Sequence, residues 1–413
     1  MTSFLLHSIN PRKRPSEDVD RFPTSMEPRP FDVETVFANV KRKSTRKLRG
    51  PDSPLYASIW PMVYVVRIFG FAPYNFSQDR LVPSNIYLIF SAIAAILYSY
   101  ILYEVFQRMM GVKRQAAVLG GTEYAKVIIN YSVVICELTL TMFTRHSFVK
   151  IWNALQDYDE SVRQLGHPRK EMQTAVVAWI LTIITAIIWI GVNQSGMYAF
   201  SEMWIYNVGY MLSYIGTLMA LYKFVAMAFF LGQRFHHLNT IAIKSFPSTS
   251  TGKNTAKINR KVTILNLHND LMVAAENLES LYSWSLLFWL GNLSLHIVSN
   301  LYFIIMWIFL ESKVGLPIHC LSIWLLAFLF ELLLLHIACN FASSQASRIG
   351  PILIEWQAKL MRKNHECCEL SLQFLNRKLN FSAGGFFYVK LPLLRSIAAF
   401  LTTYLVILLQ IPK

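Results

Sequence analysis

The chain has 413 residues, 54% of them hydrophobic and 15% charged, where a soluble domain carries roughly a quarter charged residues. So much apolar surface requires lipid and excludes an ordinary soluble enzyme or binding module. The remaining charge is basic, 39 Lys and Arg against 24 Asp and Glu, and its position decides between nucleic acid and an anionic membrane leaflet.

The first fifty residues hold no apolar core of the kind a signal peptide needs, so the first hydrophobic helix must also direct insertion. The stretch from Pro11 to Arg49 reads as a disordered cytoplasmic tail. Its Lys41-Arg42-Lys43 and Arg46-Lys47 clusters suit either solvent or anionic lipid. From Ile59 to Phe76 the chain is apolar but is interrupted by Pro61, Arg67 and Pro73, which favours a short helix at the membrane surface over a span.

Seven runs long enough to cross a hydrocarbon core of roughly 30 Å follow. They are Ser84 to Phe106, Tyr124 to Phe143, Thr174 to Val192, Met203 to Leu231, Tyr282 to Leu310, Leu316 to Phe341 and Leu393 to Gln410. With the amino terminus inside, about 31 Lys and Arg fall on the cytoplasmic side, about 5 outside and about 3 within helices. Position thus assigns the basic charge to membrane orientation, and no nucleic-acid partner is expected. The expected fold class is an all-α membrane protein with seven transmembrane helices, an inward amino terminus and a helical cytoplasmic bundle.

The predicted divisions are a tail over 1–50, an interfacial helix over 51–82, helices one to four over 83–232 and a cytoplasmic extension over 233–281. Helices five and six follow over 282–342, then a second cytoplasmic segment over 343–390 and a last helix over 391–413. In the first extension Leu267, Leu271, Ala274, Leu278 and Leu281 form one apolar helical stripe. In the second, Trp356, Leu360, Met361, Leu370 and Phe374 mix with Lys359, Arg362, Lys363 and Arg377 in another amphipathic pattern. Both point to a bundle beneath the membrane where subunits could meet. Five cysteines, an odd number with no CxxC pair, read as reduced packing residues.

The last helix contains Thr403-Tyr404, five apolar residues Leu405 to Leu409, then Gln410-Ile411, and the turn before it reads Phe381-Ser382-Ala383-Gly384-Gly385-Phe386-Phe387. In this region the sequence resembles the insect gustatory receptors, with Ile411 where Phe is usual and Gly384 at a position that is often Cys. On the residues alone, Thr403, Val406, Ile407 and Gln410 share one helical face. Four such faces around an axis would make a hydrophobic constriction with a Gln ring above it. The same residues equally suit a polar helix end and a back-bonded hydroxyl in an ordinary bundle.

The resemblance implies the former: a ligand-gated, nonselective cation channel in the plasma membrane, made of four copies or of mixed subunits. Each copy contributes its seventh helix, Tyr404 packs that helix against its neighbours, and the carboxyl terminus is extracellular. It also implies a pocket for a small-molecule tastant in the outer halves of helices two to six. The matching positions are Tyr124, Lys126, Asn130, Trp189, Tyr206, Tyr210, Tyr214, Tyr302, His319 and Trp324. Aromatic walls with a few polar groups suit such a ligand, although an interfacial aromatic belt explains some of them as well. Tyr210, Tyr214 and Trp324 lie deeper than a belt. Asn193-Gln194-Ser195 is a glycosylation sequon expected on an outer loop. Glu137, Lys223, His296, Glu331 and His336 are ionisable residues within spans, and no ligand role is assigned to them.

Trp60 to Tyr74 looks more like the branch of the family linked to bitter compounds, warmth and other nonsugar cues than like the sugar branch. An odorant receptor subunit is the nearest alternative. A G-protein-coupled receptor needs the opposite orientation and the Asp-Arg-Tyr and Asn-Pro-x-x-Tyr signatures. The histidines form no HExxH motif, so no catalytic set, metal or cofactor is expected.

Overall fold

The computed structural model describes residues 54–77, 80–111, 117–169, 171–200, 204–245, 254–311, 315–360 and 376–410. The basic tail and the positions Met361, Arg362, Lys363, Leu370 and Phe374 of the second amphipathic stretch lie outside these residues.

Helix α1 (Pro54–Ile68) leads into a hairpin of β1 (Tyr74–Ser77) and β2 (Arg80–Pro83). The helices α2 (Asn85–Gly111), α3 (Ala117–Phe143), α4 (Arg145–Gln164), α5 (Met172–Phe200) and α6 (Trp204–Ser245) follow. Next come α7 (Asn254–Glu311), α8 (Leu316–Ser347), α9 (Ile349–Leu360), a small hairpin of β3 (Ser382–Ala383) and β4 (Phe387–Tyr388), and α10 (Leu393–Gln410). Among the described residues seven helices, α2, α3, α5, α6, α7, α8 and α10, are long and apolar enough to cross a membrane. The two antiparallel hairpins qualify the all-α expectation.

Helix α1 is one helix of 15 residues despite Pro61, shorter than the ~20 residues a span needs. It packs against α5, where Trp60 meets Trp179 edge to face at 6.1 Å. Helices α2 and α5 present runs of exposed Ile, such as Ile86, Ile89, Ile93, Ile183, Ile187 and Ile190. A helix that is apolar all round is buried when neighbours surround it, and α6 takes that place, with Leu218, Leu221, Phe224, Ala228 and Leu231 nearly inaccessible. It lies so close to α8 that a Cβ on Gly232 would stand 2.5 Å from the ring of Phe341, which explains a side-chain-free residue there.

No element is expected from the sequence between the second and third spans, yet α4 forms there. Its Phe148, Ile151, Trp152, Leu155, Tyr158 and Val162 recur every three or four residues and are all buried, while its other faces carry charge. The β1–β2 hairpin docks on α4 through Asn153, whose side chain accepts from Leu81 N and donates to Leu81 O, both at 3.1 Å.

The long fifth helix is observed as α7, 58 residues in one piece, about 87 Å at 1.5 Å per residue. Its stripe corrects one expectation. Leu267, Leu271, Ala274 and Leu278 are buried within the chain, and α4 packs against α7, so this face is covered and does not stand open for another subunit. Arg377 lies on a more exposed side of α7, donating to Glu276 at 2.6 and 2.8 Å and to Asn269 at 2.6 Å.

Where α4, α5 and α6 converge, Arg234 of α6 is fully buried. It donates to Asp159 of α4 and lies 3.9 Å from Glu171, which Arg169 also contacts at 2.9 Å. Burial alone would raise the Glu171 carboxyl, but Arg234 and Arg169 outweigh it and hold the group below its ordinary value. Tyr158 donates to the Arg234 carbonyl at 3.1 Å.

Candidate functional site

Four helices bring aromatic rings to one point. Trp189 of α5 stacks on Tyr214 of α6 with centroids 6.0 Å apart. Trp324 of α8 meets Tyr214 edge to face at 5.2 Å. Phe328, one turn along the same face of α8, lies 5.7 Å from Tyr214. His296 of α7 closes the cluster, stacked on Phe328 at 4.6 Å and 5.1 Å from Tyr214.

His296 is completely buried, and among the described residues neither of its ring nitrogens has a hydrogen-bond partner. A buried polar group left unmatched costs on the order of 1–3 kcal/mol. A ligand offering one donor or acceptor here would recover that cost, and the surrounding rings would supply apolar contact.

Behind the rings runs a polar ladder in an otherwise apolar bundle. Asn292, His296 and Asn300 succeed one another at four-residue spacing on α7 and are all buried. Facing them, Lys126 and Asn130 have the same spacing on α3. Lys126 donates to Asn300 Oδ1 at 3.1 Å, and its Nζ lies 5.1 Å from the Phe303 ring centre. Asn130 donates to Ser213 at 2.7 Å and accepts from Asn292 at 2.9 Å and from Thr217 at 3.2 Å. These bonds satisfy part of the buried amide groups and tie α3, α6 and α7 together beside the aromatic cluster, while among the described residues Asn292 Oδ1 and Asn300 Nδ2 have no partner.

Of the pocket positions expected from sequence, the structure brings together Trp189, Tyr214 and Trp324, with Lys126 and Asn130 in the adjoining ladder. It sets others apart. Tyr124 packs edge to face on Phe106 at 6.3 Å. Tyr302 joins Phe303 and Leu321 in a separate small core against α10. His319 is exposed at the start of α8. The side chains of Tyr206 and Tyr210 lie outside the described residues. The sequon is not on a loop: Asn193 falls within α5, and its backbone carbonyl accepts from Asn207 at 2.8 Å. The feature missed from the sequence is the place of His296 among these rings. Its signal was the Asn-x3-His-x3-Asn spacing within an apolar helix.

Helix α10 packs on α7, with Leu405 and Leu408 set against the Tyr302 core. Among its described side chains Leu401 is the buried one, while Thr403, Tyr404, Val406, Ile407 and Gln410 are exposed. Tyr404 contacts Phe400 of its own helix, with centroids 4.5 Å apart. Thr402 and Thr403 return their hydroxyls to the carbonyls of Ala398 and Ala399 at 2.8 and 3.0 Å, the back-bonding available to Thr in apolar helices.

The turn before α10 is fixed to the middle of α7. Gly384 N donates to Ser283 O at 2.8 Å, and Ser283 donates to Ser382 O at 3.0 Å. Gly384 adopts φ +60 and Gly385 φ +80, the left-handed region that favours glycine.

The profile of a family described as 7tm chemosensory receptor matches residues 60–412. The chain belongs to that family. The receptor is 28% identical over 182 residues to the putative gustatory receptor 2a of Drosophila melanogaster, an alignment covering 38% of this chain and 42% of that relative. Its fold is that of the insect olfactory receptor OR5 from Machilis hrabei, with a TM-score of 0.64 at 14% identity over 87% of this chain and 99% of that one. The same olfactory receptor in complex with eugenol gives a TM-score of 0.63 at 15% identity, covering 86% of this chain and 98% of that one. The receptor is thus a multi-pass membrane protein of a non-enzymatic class.

Proposed function

We propose that the receptor is a ligand-gated, nonselective cation channel of four copies that detects a small nonsugar tastant in the plasma membrane, with its amino terminus cytoplasmic and its carboxyl terminus outside. The observation that carries the ligand reading is His296, buried among Trp189, Tyr214, Trp324 and Phe328 with both ring nitrogens unmatched. This chemistry suits a compact, largely apolar molecule with one polar group. The similarity to an olfactory receptor solved with eugenol supports a ligand of that kind.

The exposed faces of α10 support the pore reading. The helix attaches to α7 through Leu405 and Leu408 and leaves Thr403, Val406, Ile407 and Gln410 uncovered. Four copies would bring these residues to a common axis, making an apolar constriction that excludes water when narrow. The face carries no charge, so discrimination among cations is weak.

The test is to record currents from cells expressing this one chain against a panel of small apolar tastants, sugars and temperature steps. Tyr214→Ala or Trp324→Ala removes a ring contact worth about 1 kcal/mol, so half-maximal agonist concentration is expected to rise about fivefold or more. Normal dose dependence in both variants, with normal surface levels, would move the ligand site elsewhere. For orientation, an amino-terminal tag should stain only after permeabilisation and a carboxyl-terminal tag on intact cells. The reverse pattern would overturn the assignment made from Lys and Arg placement.

A further inference from the structure

A recess opens between α1, the β1–β2 hairpin, α4 and α6. It is shallow, with an enclosed volume of ≈ 40 Å³ that widens to ≈ 440 Å³ when the open space at its mouth is counted, so an occupant lies along it with one side uncovered. Its walls are apolar, supplied by residues such as Met62, Phe76, Trp152 and Met227, and among the described residues Lys223 is the one charged side chain that lines it. Lys223 stands nine residues after Tyr214 on α6, about 13 Å along the helix, so this recess is distinct from the aromatic cluster.

Lys223 is buried to 6% exposure. Its Nζ donates to Phe71 O at 3.2 Å and lies 4.3 Å from the centre of the Phe148 ring and 5.4 Å from that of Tyr74. Glu137 acts on it electrostatically, yet no described carboxylate reaches ion-pair distance. An ammonium group has three donors, and the hydrogen bond to Phe71 uses one. A buried cation at the edge of an open apolar recess therefore complements a molecule with an anionic head and an apolar body.

We propose that this recess binds an acyl amphiphile, its carboxylate or phosphate paired with Lys223 and its chain laid along the walls from α1 and α6. The source is either a free fatty acid or an anionic membrane phospholipid. An occupant would brace α1 and the hairpin against α6, on the helix that also carries Tyr214. The proposal does not depend on the ligand or pore readings above.

The experiment uses the full-length receptor in phosphatidylcholine nanodiscs with a diazirine-bearing stearate, followed by peptide mapping after photolysis. Label is expected in the peptides that hold Met62 and Met227. Lys223→Met, which removes the charge, and Ala226→Phe, which fills the recess and keeps the lysine, should each lower it at least fivefold, while Lys223→Arg retains it. Displacement by excess oleate alone identifies a free fatty acid as the occupant. Displacement in nanodiscs containing phosphatidylglycerol identifies a membrane lipid. Absent label, label that neither competitor displaces, or label that persists in Lys223→Met or Ala226→Phe would overturn the proposal.

Discussion

Replacing Val406 or Ile407 with Ser is expected to produce current without agonist. In the proposed closed state four copies of these side chains form a constriction that holds no continuous water, and a hydroxyl at either position wets it. The opposite side of α10 offers an internal control, because Leu405 is set into the core with Tyr302 and Phe303. Cysteines introduced at positions 403, 406, 407 and 410 should therefore react with small thiol reagents applied to open channels, and a cysteine at 405 should react far less. The Gln410→Glu change adds a ring of carboxylates and should raise the relative permeability of divalent cations. Equal modification at all five positions, or none with currents intact, would remove this helix face from the ion path.

Replacing Arg234 with Ala is expected to cost about 3–5 kcal/mol, the usual penalty for breaking a buried ion pair from one side. Arg234 is fully buried against Asp159 and near Glu171, and Arg169 alone would then face both carboxylates. Thermal unfolding of purified receptor should show a large drop, and the yield of folded protein should fall with it. Adding Asp159→Asn should restore part of the loss, because it removes the charge left without its partner. Wild-type stability in the Arg234 variant would show that the cluster is not what joins α4, α5 and α6.

Much of this architecture could be read from residues alone, because a bilayer imposes length and continuity on apolar segments. The seven spans and the terminal helix with Thr403-Tyr404 and Gln410 were visible in that way. Helix α4 was not anticipated, although Phe148, Trp152, Leu155 and Tyr158 carried its period, because charged residues between them lowered the apolar content that marks spans. Depth along a helix was readable and singled out Tyr210, Tyr214 and Trp324, of which Tyr214 and Trp324 meet in the cluster and the side chain of Tyr210 lies outside the described residues. Rotation about the helix axis was not, since the spans of α6 and α8 are apolar on nearly every side, and the one polar stripe on α7, Asn292-His296-Asn300, was not used to orient it. For that reason Tyr302 and His319 were grouped with Trp324, whereas the structure directs Tyr302 toward α10 and leaves His319 exposed. The interior partners of Lys223 and Arg234 depend on tertiary approach and have no local signature.

The continuity of α7 has a consequence for how such a receptor diversifies. His296 and Tyr302 stand six residues apart on that helix, about 9 Å along its axis, one in the aromatic cluster and the other against α10. On the proposed reading, recognition and gating share a single stiff element while using separate side chains. Substitutions at Trp189, Trp324 or Phe328 would then retune which chemistry the proposed site accepts and leave the α10 contacts as they are. Mutation can then explore new stimuli without rebuilding the gate each time.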